Sequence, residues 1–532
     1  LIRKTLRVLL VFLLIFAIVG CTSDKEGQQE TYKNIDDTVT HGQNYDGSFS
    51  REGIEEISFE NGVFYQIFVY NFRDSTGDGI GDLGGIIESL DYIESLGVNG
   101  IWLTPITHGA SYHKYDVVDY YAVDPEFGTM EDFEELISQA HKRGIKVIID
   151  LVINHTSDRH PWFKAAASDP NSKYRDYYIW ANHDDPRPGS GWRHLSGTTW
   201  FYLGHFWERM PDLNFDNPAV REEVKRIAKF WLDKGVDGFR LDAAKHLYAD
   251  PAKNHQFWNE FYQYLTTLKE DVYLVGEIWD APEVIAPYFA NGLNANFNFQ
   301  IGGRVASSIN SGVDNLGREL ARIYAIYRQH NPHFIDAPFL SNHDTRRIMS
   351  EFDYDFDKMK MAANVLLSLP GDPYIFAGEE IGMISNDNHM DIREPFKWYK
   401  DTGPGQTTWR ENAFNSTEKW SPSVEEQDND PDSLLNHFRK MVSFRNSHSP
   451  LRYGNDFQLV ENNNLTVLTF IREYQGERVL VVHNFYNQPQ TITITVEGTF
   501  TNFKSTKSGA SFNQRGNEIT ITIPSLSSMF IF

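Results

Sequence analysis

One phrase recurs along this chain and limits its fold more than any other feature: a helical stretch, a glycine, then a short apolar run. Ile86, Ile87, Leu90, Ile93 and Leu96 have helical spacing, Gly97 ends the helix, and Gly100–Leu103 reads as a buried strand. Phe133, Leu136, Ile137 and Ala140 repeat the pattern, with Gly144 as the stop and a strand over 146–153. Val224, Ile227, Ala228 and Trp231 repeat it again, with Gly235 and then Gly238–Leu241. Further short strands are expected at 63–68, 273–276, 295–297, 337–340 and 374–376, eight in all. Strands alternating with helices imply parallel pairing. Eight such units over about 390 residues suit a (β/α)8 TIM barrel with insertions, longer than the ~250 residues typical of that fold. An open doubly wound sheet is the alternative. It is weakened because no Gly-rich phosphate loop follows any strand.

The rhythm breaks over 156–211, a loop-rich stretch carrying Trp162, Trp180, Trp192, Trp200 and Trp207. It reads as an inserted domain B after the third strand, on the side of a barrel where binding sites form. After a last helix near 434–445, residues 449–532 turn β-rich, at 465–471, 479–483, 491–496 and 519–523. They suggest an antiparallel β-sandwich, leaving 57–448 to the barrel. At the other end, Arg3, Lys4 and Arg7 precede an apolar run over 8–20 that is too short to span a bilayer, so 1–20 reads as a signal peptide. The run ends Ile18-Val19-Gly20-Cys21, which resembles a bacterial lipobox. That resemblance implies cleavage before Cys21, acylation of its thiol and anchoring on the outer face of the cell membrane. A polar tether over 21–56 follows. Cys21 is the only cysteine, which excludes an intrachain disulfide. A net charge of −24 without a basic run argues against nucleic-acid partners, and a monomer is expected.

Catalysis in a barrel sits where the strands end. Those ends carry Asn154 and His155, Arg240 and Asp242, Glu277, and His343 and Asp344. Alternate strand residues share a face, so Arg240 and Asp242 point together, and the guanidinium should keep Asp242 ionised as a nucleophile requires. Partial burial beside Trp279 should raise Glu277 and suit it to general-acid work. A single strand-end acid is usually a cap or an ion pair. Three acids and two histidines on one rim call for more, and two carboxylates about 5–5.5 Å apart form the retaining glycosidase arrangement. Separately, Asp74–Asp82 spaces hard oxygens at alternate positions, with Gly79 for a sharp turn. By spacing alone, a calcium loop and an acidic surface turn are equal alternatives.

The order of short motifs is more specific. Asp150-Leu151-Val152-Ile153-Asn154-His155, Gly238-Phe239-Arg240-Leu241-Asp242-Ala243-Ala244-Lys245-His246, Gly276-Glu277-Ile278-Trp279-Asp280 and Phe339-Leu340-Ser341-Asn342-His343-Asp344 resemble, in sequence order, the motifs of glycoside hydrolase family 13, the α-amylase family. The resemblance implies Asp242 as nucleophile, Glu277 as acid/base and Asp344 as the third carboxylate. It implies His155, Arg240 and His343 around the cleaved sugar, Tyr115 as its stacking platform, and Arg393 beside it. Lys245 and His246 would contact sugars beyond the scissile bond. It also implies Ca²⁺ on Asp74, Thr76, Asp78, the Ile80 carbonyl and Asp82, and a second Ca²⁺ on Asn154, Asp212 and the His246 carbonyl. Lys114 stands where the family often has glycine. Relatives that cut α-1,6 bonds often carry Val where this chain has Ala243; with Lys245-His246 this favours α-1,4 cleavage. Met210-Pro211-Asp212-Leu213-Asn214 instead resembles members between oligo-1,6-glucosidases and neopullulanases. The implied function is an α-amylase acting on starch and maltooligosaccharides. An α-glucosidase or oligo-1,6-glucosidase, a neopullulanase-like hydrolase and a 4-α-glucanotransferase are the alternatives. The presence of all three acids argues against a purely binding or scaffolding barrel.

Overall fold

The computed structural model describes residues 61–182, 190–417 and 421–532. The signal segment, Cys21 and the tether lie outside the described residues. Eight parallel strands form one sheet: β1 (Phe64–Ile67), β2 (Gly100–Leu103), β3 (Lys146–Leu151), β4 (Gly238–Leu241), β5 (Tyr273–Gly276), β6 (Ala295–Asn298), β7 (Ile335–Pro338) and β8 (Tyr374–Phe376). The spatial order is β7-β6-β5-β4-β3-β2-β1-β8. A parallel bridge from Phe339 to Tyr374 joins the two ends, so the sheet closes into a barrel and the open doubly wound alternative falls. Inward-facing residues of different size fill the bore. Phe64, Trp102, Tyr273, Phe297 and Tyr374 pack with Ala295 and Ala337, so large rings lie against small neighbours.

The helix–glycine phrase becomes the outer ring. Helix Met130–Lys142 starts on a Thr129–Asp132 capping box and buries Phe133, Leu136, Ile137 and Ala140. Just beyond it Gly144 takes φ +70°, a left-handed conformation that glycine adopts without a Cβ penalty. Helix Pro218–Asp233 buries Val220, Val224, Ile227, Ala228 and Trp231 against the sheet.

Within 156–211 the chain forms helix Pro161–Ser168 and a three-stranded antiparallel sheet of Trp180–Asn182, Trp200–Leu203 and Trp192–His194. Its aromatics mostly pack on one another: Phe163 stacks on Trp180 and meets Tyr202 edge-on, while the Arg175 guanidinium lies 3.5 Å from the Trp180 ring centroid and 4.5 Å from that of Trp200. Trp180 and Trp200 therefore pack around Arg175 within the insertion, while Trp207 is 41% exposed.

Helix Leu434–Asn446 and the single helical turn Ser449–Arg452 lead to a five-stranded and a three-stranded antiparallel sheet. Ile471, Leu480 and Val482 of one face Ile492, Ile494, Ile519 and Ile521 of the other, as in a sandwich. The four expected strands are present, and Gln458–Leu459, Phe503–Ser505, Ser511–Arg515 and Ser527–Ile531 add to them. Among the described residues no helix is long and apolar enough to cross a membrane.

Candidate active site

Arg240 organises the rim. Its side chain, 1% exposed, leaves β4 toward the strand ends, where Nη1 meets Asp150 Oδ1 and Asp242 Oδ1, each at 2.5 Å, and Nη2 meets Glu277 Oε2 at 3.0 Å. One guanidinium thus holds the acids that follow β4 and β5 side by side. After Asp242 the chain turns through Ala243 in a left-handed conformation (φ +47°), which aims its backbone N–H at Glu277 Oε2, 3.0 Å away. Asp344 stands opposite. His343 Nε2 is 3.0 Å from its Oδ2, and Arg393 Nη2 donates to Oδ1 at 2.5 Å. Gln66 Nε2 lies 2.7 Å from His343 Nδ1; as the donor there it leaves the imidazole proton on Nε2, facing Asp344. Tyr115 stacks on His343 with ring centroids 5.4 Å apart and nearly parallel planes, and its hydroxyl reaches Asp150. His155 Nε2 lies 3.1 Å from the Tyr115 carbonyl. The structure therefore brings Asp242, Glu277, Asp344, Tyr115, His155, Arg240, His343 and Arg393 to one rim.

The electrostatics refine the expectation in two places. Burial raises Asp242 above the ordinary carboxylate range; Arg240 opposes this without cancelling it, and the Asp344 charge adds to the rise. Arg240 is therefore only a partial counterweight. Glu277 is also raised, chiefly by burial and then by the Asp242 and Asp344 charges, with Arg240 again opposing. Trp279 is not what covers it, because that residue is 52% exposed and stacks on Phe299, 4.6 Å away. Burial works on Asp344 in the same sense, but His343 and Arg393 outweigh it and hold this acid well below the usual range. Burial lowers His155 to about 4, so it is neutral near pH 7.

Lys245 and His246 lie further out. Lys245 Nζ pairs with Asp280 at 2.6 Å, and the His246 ring sits 4.8 Å from His205 and 5.5 Å from Phe206 of the insertion. Lys114 adopts the left-handed backbone that suits glycine (φ +62°), and its buried ammonium pairs with Asp124 and Glu126. The loop keeps its shape because those ion pairs hold a conformation that lysine disfavours. Asp150, Trp102 and Gln66 were not assigned roles from the sequence. Trp102 Nε1 donates to Asp150 Oδ2 at 2.9 Å, which fixes the acid that anchors Arg240. The signal was a polar residue at an otherwise apolar, inward-facing strand position.

The two metal proposals differ in fit. Asp74 accepts N–H bonds from Thr76, Gly77 and Gly79, Asp78 from Ile80, and Asp82 from Ser75 and Gly85. Asp74 and Asp82 are buried and have only neutral donors as partners among the described residues, which leaves negative charge for a cation to offset. Yet no three His, Cys, Asp or Glu side chains converge as a metal cluster among the described residues. In the second set, among the described residues, the Asn154 Oδ1 is buried with no hydrogen-bond partner, and the buried Asp212 accepts only the His205 N–H, from 3.2 Å. Burial pushes Asp212 up to about 7. An orphaned amide oxygen beside a desolvated carboxylate fits a hard cation.

Comparison with known proteins agrees with this geometry. The family model "Alpha amylase, catalytic domain" matches residues 66–454, and "Alpha-amylase SusG C-terminal domain" matches 467–529. The chain is 44% identical over 447 residues to Alpha-amylase 3 of Dictyoglomus thermophilum, covering 84% of this chain and 89% of that protein. It is 36% identical over 443 residues to a 4-alpha-glucanotransferase of Thermotoga neapolitana, covering 80% and 96%. Among solved structures, the alpha-amylase from H. orenii superposes with a TM-score of 0.82 at 43% identity, covering 89% of this chain and 99% of that one. With a catalytic-domain match over most of its length and a closed barrel bearing the acids at its strand ends, the chain belongs to the α-amylase family, glycoside hydrolase family 13.

Proposed function

We propose that this enzyme is an α-amylase that cleaves internal α-1,4 bonds of starch and maltooligosaccharides with retention of configuration. The observation that carries the reading is the Arg240 bridge, which sets Asp242 and Glu277 side by side while Asp344 is held ionised opposite them. In the reaction, Asp242 Oδ attacks the anomeric carbon as the bond to the leaving oxygen breaks, and Glu277 gives that oxygen its proton. The glycosyl ester on Asp242 is then displaced by water, whose proton returns to Glu277. Asp344, permanently anionic, accepts sugar hydroxyls and favours the positive charge that develops on the ring. Both acids are reachable from solvent, the Glu277 side chain being 20% exposed and that of Asp344 32%. Ala243 and Lys245-His246 support the α-1,4 preference. The 4-alpha-glucanotransferase relative supports a second reading, transfer of the same glycosyl ester to a sugar. Products from maltoheptaose separate the two. Mixed shorter maltooligosaccharides from the start are expected. Glucose alone from the non-reducing end would overturn endo cleavage, and early products longer than the substrate would favour transfer.

Calcium and the anchor belong to the same reading. Asn154, Asp212 and the His246 carbonyl, and more weakly the loop of Asp74, Thr76, Asp78, Ile80 and Asp82, would hold Ca²⁺, which would brace the insertion and the β1 loop. A chelator should lower Tm, and calcium should restore it. No bound calcium by elemental analysis and an unmoved Tm would dispose of both sites. Cys21 would carry the lipid that keeps the monomeric enzyme at the outer face of the membrane. Cys21→Ala should release activity from the membrane fraction; retention there would refute the anchor.

A further inference from the structure

Between β2 and helix Met130–Lys142 the chain makes a hairpin of Thr107–Gly109 and Val117–Val123, with Gly109 opposite Val117. Its tip, residues 110–116, meets the catalytic rim through its tyrosines. Tyr112 accepts a hydrogen bond from Arg393 Nη1 at 3.1 Å. Tyr115, besides stacking on His343, sets its hydroxyl 2.7 Å from His343 Nε2. Arg393 and His343 are the side chains that hold Asp344. Lys114 stands between these tyrosines but touches neither Arg393 nor His343. Its stem lies along Gly109, where a Cβ would come within 2.6 Å of Lys114 Cα. Its Nζ reaches Asp124 Oδ2 at 3.1 Å and also meets Glu126. Asp124 accepts the Gly109 N–H at 2.9 Å and the Glu126 N–H at 3.0 Å as well. One carboxylate thus gathers the ammonium and the backbone on either side of the hairpin.

Local rules disfavour lysine here. Position 114 has φ +62°, which glycine adopts freely and a residue with a Cβ does not. The pair is also nearly out of solvent, with the Lys114 side chain 4% exposed and that of Asp124 2%. A buried ion pair is seldom the best source of stability, since apolar residues of similar volume often do as well; its better-attested use is to select one arrangement. We propose that Lys114 is a positioning residue for the reaction: its tie to Asp124 and Glu126 fixes the tip of the hairpin and so keeps Tyr112 and Tyr115 against the side chains that hold Asp344. This role rests on the hydrolytic reading above and deepens it. Asp344 acts on the ring most strongly as positive charge develops there, so a loosened tip weakens the transition state more than the bound substrate. The loss therefore falls on kcat, with KM little changed.

Lys114→Gly in the full chain removes the tie and relieves the backbone together, while Asp124 keeps its N–H bonds. On maltoheptaose its kcat should fall about tenfold, with KM within about twofold of the parent. Lys114→Arg keeps the charge, and Glu126, 46% exposed, leaves room for the longer head group; kcat should return to within about twofold of the parent. Glu126→Gln weakens the tie from its solvent side and should lower kcat about threefold. If Lys114→Gly does not fold, this variant decides the matter, and an unchanged kcat in it would overturn the proposal. A folded Lys114→Gly with the parent's kcat, a loss seen in Tm alone, or an equal loss in Lys114→Arg would overturn it too. A parent inactive on every α-glucan would instead overturn the functional reading. The same variants on 4-nitrophenyl α-glucoside would then test Lys114 separately, and a parent inactive there as well would overturn both.

Discussion

Asp242 and Glu277 share one guanidinium, so their titrations belong to the pair. Both are raised by burial, with opposite consequences. The nucleophile must be ionised, so activity rises with pH as Asp242 loses its proton, and this acid limb should sit above the ordinary carboxylate range. The acid must be protonated, so activity falls as Glu277 ionises. A bell-shaped profile of kcat/KM is therefore expected, and Glu277→Gln should abolish its alkaline limb. On maltoheptaose that variant should lose on the order of 10²–10⁴ in kcat, and far less on a 4-nitrophenyl glycoside, whose leaving group needs no proton. Asp242→Asn should lose about 10³-fold or more on both substrates. Activity of Asp242→Asn within a few-fold of the parent would refute the nucleophile. Most of this rim was legible because strand alternation aligns Arg240 with Asp242. The counterweight of burial was not, since desolvation depends on what closes over the pair. Lys114 teaches the same lesson: its positive φ is held by Asp124 and Glu126, distant enough in sequence that no local rule links them.

At the scale of elements, the loop after β1 has a structural duty besides any metal. Asp82 is the N-cap of helix Leu83–Glu88, accepting the Gly85 N–H at 2.6 Å, and it also takes the Ser75 N–H and hydroxyl. Asp82→Ala should therefore cost about 1 kcal/mol for the cap even in a chelator, read as a lower urea midpoint. A larger loss in calcium than in chelator would be the added metal contribution, and no loss in either would refute the cap. The strands were legible where apolar runs are long or bounded by glycine. Gln458–Leu459 and Phe503–Ser505 were not, because two or three residues carry no periodicity and are set by their neighbours in the sheet. The duty of the insertion's tryptophans was not legible for a related reason: aromatic richness is the same for a sugar platform and for a small core built around Arg175.

For the whole molecule, one fully buried arginine ties the sandwich to the barrel. Arg472 of the sandwich donates to Ser368 at the end of helix Phe356–Ser368 and to Leu451, while Arg445, within the barrel, donates to the neighbouring carbonyls of Leu367, Leu369 and Gly371. Arg472→Met would strand the buried acceptors of that side chain. It should cost about 1–3 kcal/mol and split thermal unfolding toward two transitions, as calorimetry would show; an unchanged single transition would refute the tie. Buried acids set the pH dependence of stability. Burial pushes Asp336 and Asp372 up to about 7 and Glu379 up to about 8. Unfolded, these groups ionise near pH 4; folded, they keep their protons, so the native state binds more protons between about 4 and 8 and stability falls as pH rises through that window. The urea midpoint should be higher at pH 5.5 than at pH 8, and Asp336→Asn should flatten the slope; a midpoint that rises with pH would refute this. The amino-acid order alone determined the barrel, its insertion, its sandwich and the residues at the rim, because helix stops, strand runs and alternation are local properties. Ring closure through Phe339 and Tyr374 and the sharing of Arg240 among Asp150, Asp242 and Glu277 were decided only by the tertiary structure. Each depends on distances between segments far apart in the chain, and those distances are set by packing.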